Sequence, residues 1–143
     1  MSTIDTYPDV LDPALVGTYP ASAHAGGGYV WDAVLEYRVW CSPRLGAEDL
    51  ANGSDYFRAF ATFEEARVFS YGTPGAEEPL ALIVQDEYID EGRPGEYVHV
   101  KESRITEWPV EFLSRPRRHP RTIPDFMDAG PAVDRLAIIR GQA

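Results

Sequence analysis

The sequence contains one cysteine, Cys41, among its 143 residues. A lone thiol cannot form an intramolecular disulfide, and this cysteine usage is typical of proteins in a reducing compartment. The first ten residues have neither a basic head nor an apolar run, so they do not predict a secretory signal. No stretch approaches the roughly eighteen apolar residues of a membrane-spanning helix. We therefore expect a cytoplasmic protein that does not associate with a membrane.

Positive charge is scarce, because the chain has 13 lysines and arginines against 23 aspartates and glutamates, a formal net charge of −10. An acidic surface repels nucleic acids and anionic lipids, so neither is an expected partner. The charge is uneven: residues 1–103 hold 18 acids and 6 bases, whereas residues 104–143 hold 5 acids and 7 bases. Only the C-terminal part of the chain is suited to attract an anion.

Motifs for metal binding and nucleophilic catalysis are also missing. The histidines His24, His99 and His119 show no CxxC, HxxxH or HExxH spacing with one another or with Cys41, so no metal site is predicted. Cys41 falls in line with apolar residues, which favours a buried structural thiol over a catalytic one. The three glycines at 26–28 precede a strand, whereas a phosphate-binding loop follows one, so they indicate a hinge.

Proline and glycine are frequent, with 12 of each, and they divide the chain into three parts. We predict an extended N-terminal arm over residues 1–28, a core domain over residues 29–113, and a Pro/Arg-rich arm over residues 114–143 that includes a short helix at 131–140. The apolar fraction of 44% indicates a folded chain. At this length we expect one domain with one core.

The core is predicted to consist mainly of strands. Residues 29–41 alternate with a period of two, which is typical of a half-buried strand, and residues 56–61 and 97–102 are two further strands. The apolar run at 80–84 predicts a central strand that is covered on both faces. Residues 105–113 form either an edge strand or a helix that begins at Pro109, because proline removes a hydrogen-bond donor from a sheet.

One main helix is predicted after residue 61. Thr62 and Glu65 have the spacing of a capping box, and apolar residues recur at every third position from 63 to 69. Gly72 is expected to end this helix in the left-handed conformation. Together these elements predict an α+β fold, in which a mainly antiparallel sheet of four to five strands carries one packed helix and Pro-rich terminal arms.

The polar side chains on the strands are the candidates for a functional site. We expect some of them to converge on the sheet face opposite the helix, where charged pairs are also common as simple surface contacts. Glu87 and His99 are the catalytic candidates, since burial can tune either one toward neutral pH as a general base. The ligand-binding candidates on the strands are Glu36, Arg38 and Arg58.

The C-terminal arm carries the one basic cluster of the sequence. Its prolines at 116, 120 and 124 predict polyproline II backbone that is exposed to solvent. Arginines between prolines present forked donors to a phosphate or carboxylate ligand, and docking on the protein's own acidic body or on a second copy is the alternative. The residues concerned are Arg115, Arg117, Arg118 and Arg121, with His119 among them.

The segments AFATFEEARVFS at 59–70 and GAEEPLALIVQDEYIDEGRPGEYVHVKESRITEWPVEFL at 75–113 resemble small bacterial proteins of the GNAT-type N-acetyltransferase-like group. The resemblance covers residues 31–118. It implies an acyltransferase that uses acetyl-CoA. The chain lacks the Arg/Gln-x-x-Gly-x-Gly/Ala loop with which GNAT enzymes bind the pyrophosphate of the cofactor, so the resemblance transfers no site residue to this sequence.

Two classes of function follow. The residues themselves favour a non-catalytic binding or protein-interaction module with no cofactor, which forms a homo-oligomer through the edge at 105–113 and the arms. The resemblance implies the alternative, an acetyltransferase-like enzyme that binds acetyl-CoA. The small-molecule ligand stays open in both cases.

Overall fold

The computed structural model describes residues 7–25, 29–93 and 95–128. The α-helices are α1 Phe63–Gly72 and α2 Thr122–Met127, and short 3-10 helices span Pro13–Leu15, Pro43–Leu45 and Val110–Ser114. The strands are β1 His24–Ala25, β2 Ala33–Cys41, β3 Tyr56–Phe60, β4 Leu80–Gln85, β5 Tyr88–Arg93, β6 Glu96–Val100 and β7 Arg104–Pro109. The helix predicted at 131–140 lies outside the described residues.

Five strands form one sheet in the order β1-β7-β4-β2-β3, and β5 and β6 form a separate antiparallel pair. β2 and β3 are antiparallel, with Tyr37 opposite Phe60 and Cys41 opposite Tyr56. The prediction of an α+β fold with a mainly antiparallel sheet and one main helix is confirmed. None of the helices in the described part of the chain is long and apolar enough to cross a bilayer.

The chain divides into two compact units. Unit 1 contains the described residues up to Ala23 together with Val34–Leu82, and unit 2 contains His24–Ala33 together with the described residues from Ile83 onward. The division into two arms and a core at residues 28 and 113 stays a prediction.

Unit 1 is built on β2, which is buried along almost its whole length on both faces. The prediction of a half-buried strand is therefore wrong, and the reason is that residues 8–21 cover the polar side of β2, as shown below. α1 packs on the strands through aromatic pairs, with ring centroids 6.1 Å apart for Tyr37 and Phe63 and 5.3 Å apart for Phe60 and Phe69.

The start of α1 agrees with its sequence pattern. The Thr62 hydroxyl accepts a hydrogen bond from the Glu65 backbone N–H at 3.2 Å and donates one to the Glu65 carboxylate at 3.0 Å. The predicted end is wrong, since Gly72 lies within the helix and the left-handed glycine is Gly75, with φ +76°. A Cβ on Gly75 would lie 2.2 Å from the backbone nitrogen of Ala47, so the close approach of two loops requires glycine there.

Unit 2 has an apolar core of Val30, Ile89, Ile123 and Phe126. The last two residues belong to α2, which replaces the solvent-exposed polyproline segment predicted there. Pro124 is tolerated because it lies in the first turn of this helix, where a backbone N–H has no partner within the helix. The sequence pattern failed here because burial of two side chains, rather than helix propensity, stabilises so short a helix.

Residues 105–113 combine the two predicted alternatives. β7 ends at Pro109, and the 3-10 helix Val110–Ser114 follows it directly. β7 is not an edge strand, because β1 pairs with it in parallel at Thr106 and Glu107. The run at 80–84 forms most of β4, which lies between β7 and β2 as a central strand should.

Candidate functional site

Glu87 and His99, the two predicted catalytic candidates, lie side by side in unit 2. Glu87 sits in the turn between β4 and β5, and His99 lies on β6 opposite Ile89. Their side chains make a hydrogen bond of 2.7 Å between His99 Nε2 and Glu87 Oε1. The side chain of His99 is 19% exposed and that of Glu87 is 32% exposed, so solvent can reach the pair. The register of the β5–β6 hairpin therefore brings together the two residues that the sequence singled out.

Arg118 joins this pair to two aspartates that sequence reasoning did not select for the site. Its guanidinium donates to Asp32 at 2.9 Å and to Glu87 at 3.2 Å, and it lies 3.9 Å from Asp86. The hydrogen bond with Asp32 raises the pKa of Arg118 above its usual value. The five residues Asp32, Asp86, Glu87, His99 and Arg118 are called the carboxylate cluster below.

In the carboxylate cluster, the positive charge of Arg118 offsets part of the negative charge of three carboxylates. Arg118 is shared among three carboxylates, and Asp32 also accepts a hydrogen bond of 2.7 Å from the backbone N–H of Asp86. Arg118 comes from the C-terminal arm, and its backbone N–H donates to the carbonyl of Trp31 at 2.8 Å. The cluster therefore attaches the arm to unit 2. Within this cluster, the Glu87–His99 hydrogen bond has the geometry of a general base, His99, that is held by an orienting partner, Glu87.

Glu36 and Arg38, the ligand-binding candidates on β2, form an ion pair in unit 1. Arg38 Nε donates to Glu36 Oε2 at 2.7 Å, and both side chains have 0% exposure. The expectation that these residues lie on an open sheet face is therefore wrong. Burying an ion pair is costly unless further hydrogen bonds satisfy both groups, and such bonds are present.

Residues 8–21 of the N-terminal arm supply these further bonds. The backbone N–H of Gly17 donates to Glu36 at 2.8 Å, and Arg38 donates to the carbonyl oxygens of Pro20 at 2.6 Å and Ala21 at 3.4 Å. The Tyr37 hydroxyl, also on β2, donates to the carbonyl of Pro8. The Glu36–Arg38 pair thus binds a segment of its own chain through main-chain groups.

Arg58 and Cys41 lie at the other end of β2 and β3. Arg58 is exposed on β3 opposite Val39, and the structure does not bring it together with Glu36 or Arg38. Cys41 is buried, and burial raises the pKa of its thiol despite the positive charge of Arg58. A neutral, buried thiol is a poor nucleophile, in agreement with the structural interpretation of Cys41.

The arginines of the C-terminal arm contact unit 2, to which they belong. Arg115 is buried, with its guanidinium 4.0 Å from the ring centroid of Phe112 and 5.3 Å from that of Trp108. Burial lowers its pKa from the usual arginine value. Arg117 donates to the carbonyl of Asp32 at 2.9 Å, and the exposed Arg121 pairs with Asp125 at 2.7 Å. These contacts favour docking on the protein's own body over an anionic ligand.

A surface pocket of about 310 Å³ in unit 1 was missed by sequence reasoning. Two loops form its frame: the turn after β2 and the loop after α1 meet where Gly75 approaches Ala47, and the Ser42 N–H donates to the Gly75 carbonyl at 3.0 Å. No short motif signals this site, because its residues are spread over 36 positions of the sequence. The residues that line it, called the Ser42 pocket below, are Ser42, Arg44, Leu45, Asp55 and Glu77.

The polar groups of the Ser42 pocket are unpaired. Within residues 7–25, 29–93 and 95–128, the side chains of Arg44, Asp55 and Glu77 have no hydrogen-bond or ion-pair partner. The hydroxyl of Ser42 also has no hydrogen-bond partner among the described residues, and it is not one of the buried atoms that lack a partner, so it reaches solvent. No group of His, Cys, Asp and Glu residues suited to a metal ion occurs in the described part of the chain.

Comparison with known proteins gives no relative for this chain: no family model, no curated protein and no solved structure matches it.

Proposed function

We propose that this protein is a non-catalytic binding module that holds a small charged ligand in the Ser42 pocket. The observation that carries the proposal is that the charged side chains of Arg44, Asp55 and Glu77 line one cavity without a hydrogen-bond or ion-pair partner among the described residues. A ligand of complementary charge makes charge-assisted hydrogen bonds with such side chains, and these are stronger than hydrogen bonds between neutral groups. The pocket volume is at the lower end of the range for small-molecule sites.

The other charged groups support the proposal by contrast. The Glu36–Arg38 pair binds residues 8–21, and the carboxylate cluster attaches the C-terminal arm. Both sets of side chains already have partners from the protein itself. The charges of the Ser42 pocket have none within the described residues, so a ligand can bind there without displacing an internal contact.

A thermal-shift screen with small amines, carboxylates and amino acids at millimolar concentration tests the proposal. A ligand that binds only the folded protein raises Tm, and the stabilisation grows with the logarithm of its concentration once this exceeds Kd. We expect at least one class to raise Tm, and the variant Asp55→Asn/Glu77→Gln to lose that rise. Glu78→Gln is the matched control, since Glu78 is exposed beside Glu77 but does not line the pocket. No rise with any class would refute the proposal.

The acetyltransferase-like enzyme is the second candidate function, and the Glu87–His99 hydrogen bond is the observation that favours it. A carboxylate that accepts from one ring nitrogen orients the imidazole and leaves the other nitrogen to act as a base. This reading predicts that acetyl-CoA raises Tm and that His99→Gln abolishes acyl transfer without abolishing the rise. The absence of any shift with millimolar acetyl-CoA would remove this candidate.

We also propose that the protein works in the cytoplasm and without nucleic acid or membrane partners. The single cysteine, Cys41, which is buried and forms no disulfide, and the net charge of −10 support this proposal. Imaging of the tagged protein in its own cells tests the location. Accumulation outside the cytoplasm would contradict it.

A further inference from the structure

We infer that the Ser42 pocket takes a small molecule that carries one carboxylate together with one or two ammonium or guanidinium groups, which is the charge pattern of a basic amino acid. The inference rests on the proposed function and names its ligand class. It follows from which charges line the pocket, from what else lines it, and from how firmly its frame is held.

Arg44 selects the carboxylate. A guanidinium presents two parallel N–H donors that match the two oxygens of a carboxylate, and such paired bonds are stronger and more specific than a single contact. Arg44 is exposed and has no acidic partner in the described part of the chain. Its donors are therefore available to a ligand.

Asp55 and Glu77 select the positive groups. Ionised carboxylates only accept hydrogen bonds, so each of them binds an ammonium or guanidinium donor. With Arg44, the three charged side chains leave the pocket with one excess negative charge. The acidic body of the protein adds to the attraction for a ligand with a net positive charge.

Leu45 and Ser42 provide the remaining contacts. Leu45 is 66% exposed and offers an apolar wall for the methylene stem that separates the charged groups of a basic amino acid. The Ser42 hydroxyl can donate to a carboxylate or accept from an ammonium group. A purely ionic ligand without a stem would leave Leu45 in water.

The frame of the pocket is held by main-chain contacts rather than by a ligand. The carbonyl of Ser42 accepts from the backbone N–H of Leu45 at 3.0 Å and of Ala47 at 3.1 Å, and Gly46 adopts φ +108° to close the turn. The Glu77 N–H donates to the carbonyl of Trp40 at 2.8 Å. A site that is already ordered binds without a large loss of conformational entropy.

Isothermal titration calorimetry at low ionic strength tests the inference with three probes: L-arginine, agmatine, which lacks the carboxylate, and Nα-acetyl-L-arginine, which lacks the α-ammonium group. We expect L-arginine to bind most tightly. Agmatine should bind about tenfold or more weakly, which is the loss expected for a charge-assisted hydrogen bond. Amide chemical shifts should change at residues 42, 44–46, 55 and 77.

The variants separate the roles of the charged residues. Arg44→Ala should weaken the binding of L-arginine about tenfold or more and leave the binding of agmatine unchanged. Asp55→Asn or Glu77→Gln should weaken the binding of both compounds. The controls Arg93→Ala and Glu78→Gln, at exposed positions outside the pocket, should match the wild type. Circular dichroism confirms that each variant is folded.

The outcomes distinguish this inference from the function on which it rests. If agmatine binds as tightly as L-arginine and Arg44→Ala has no effect, recognition of a carboxylate is refuted while a binding module for cations remains. If none of the three probes gives heat or chemical-shift changes while another class of charged compound raises Tm, the assignment to basic amino acids is refuted and the proposed binding function remains. If no class binds at all, both are refuted.

Discussion

Glu36 and Arg38 show how a charged residue can be buried without a ligand. Both side chains are 0% exposed on β2. Glu36 accepts a further hydrogen bond from the Gly17 N–H, and Arg38 donates one to the Pro20 carbonyl. Breaking a buried ion pair costs about 3–5 kcal/mol, because one charge is left without its partner. We therefore expect Glu36→Gln to lower the free energy of unfolding by about that amount in urea denaturation.

The double variant Glu36→Leu/Arg38→Met provides the comparison for this prediction. It removes both charges, so we expect it to be more stable than Glu36→Gln. The exposed pair of Glu64 and Arg67 on α1 is the matched control, and Arg67→Met should unfold close to the wild-type urea concentration. A Glu36→Gln variant as stable as that control would contradict the prediction.

The buried side chains of Cys41 and Tyr37 predict how the stability of the protein changes at alkaline pH. Burial raises the pKa of both groups, so the folded state holds their protons more tightly than the unfolded chain does. Stability is therefore complete below the unfolded values of about 8.5 and 10 and falls as the pH rises through them. We expect the free energy of unfolding to decrease steadily above about pH 8.5.

Two substitutions check the assignment of this alkaline loss. Cys41→Ala should reduce the decrease that begins near pH 8.5, and Tyr37→Phe should reduce the decrease above about pH 10. Urea denaturation at a series of pH values measures both. A curve with the same slope in the wild type and in both variants would show that other groups control the alkaline behaviour.

Among the elements, the loop after α1 depends on one glycine. Gly75 has φ +76°, and a Cβ there would lie 2.2 Å from Ala47 N and 2.7 Å from the carbonyl oxygen of Ser42. Because backbone atoms cannot move aside as a flexible side chain can, we expect Gly75→Ala to cost about 3 kcal/mol or more. The same substitution should also weaken the binding of any ligand in the Ser42 pocket, since both loops frame that pocket.

Gly53 is the matched control for Gly75. Its φ is +83°, but a Cβ there meets nothing within 4 Å. Gly53→Ala therefore measures the left-handed backbone strain alone, which is about 1–2 kcal/mol. Equal losses in thermal or urea unfolding for the two variants would show that the close approach at Ala47 is not maintained in solution.

The elements also show which sequence signals were sufficient. Local signals gave the position of β3, the capping box of α1 and the apolar run of β4, since each depends on neighbouring residues. α2 and the burial of β2 depend on distant segments. Ile123 packs with Val30 and Ile89, and no periodicity in residues 114–126 contains that information.

The same distinction holds for the candidate sites. Glu87 and His99 can be selected from the sequence because each is an ionisable side chain on or next to a predicted strand, whereas their hydrogen bond depends on the pairing of β5 and β6. Asp32 and Arg118 were not paired in advance, although they lie 2.9 Å apart, because 86 positions of sequence separate them. The Ser42 pocket was missed for the same reason: its walls come from loops that meet only in the folded chain.

For the whole molecule, the homodimer through residues 105–113 and the arms stays a prediction. β1 already pairs with β7 at Thr106 and Glu107, so such a dimer would use the remainder of this segment. Light scattering of the full chain should then give twice the mass of 15.9 kDa. A mass of one chain at all concentrations would remove the dimer from the proposal.

The main-chain attachment of residues 8–21 determines where the protein can be labelled. Gly17, Pro20 and Ala21 bind β2 through backbone atoms, so the exposed side chain of Leu15 can be replaced without loss of these bonds. A fluorophore on Leu15→Cys would react selectively, because the thiol of Cys41 is buried and its pKa is raised. The anisotropy of that fluorophore would then report directly whether the segment leaves β2.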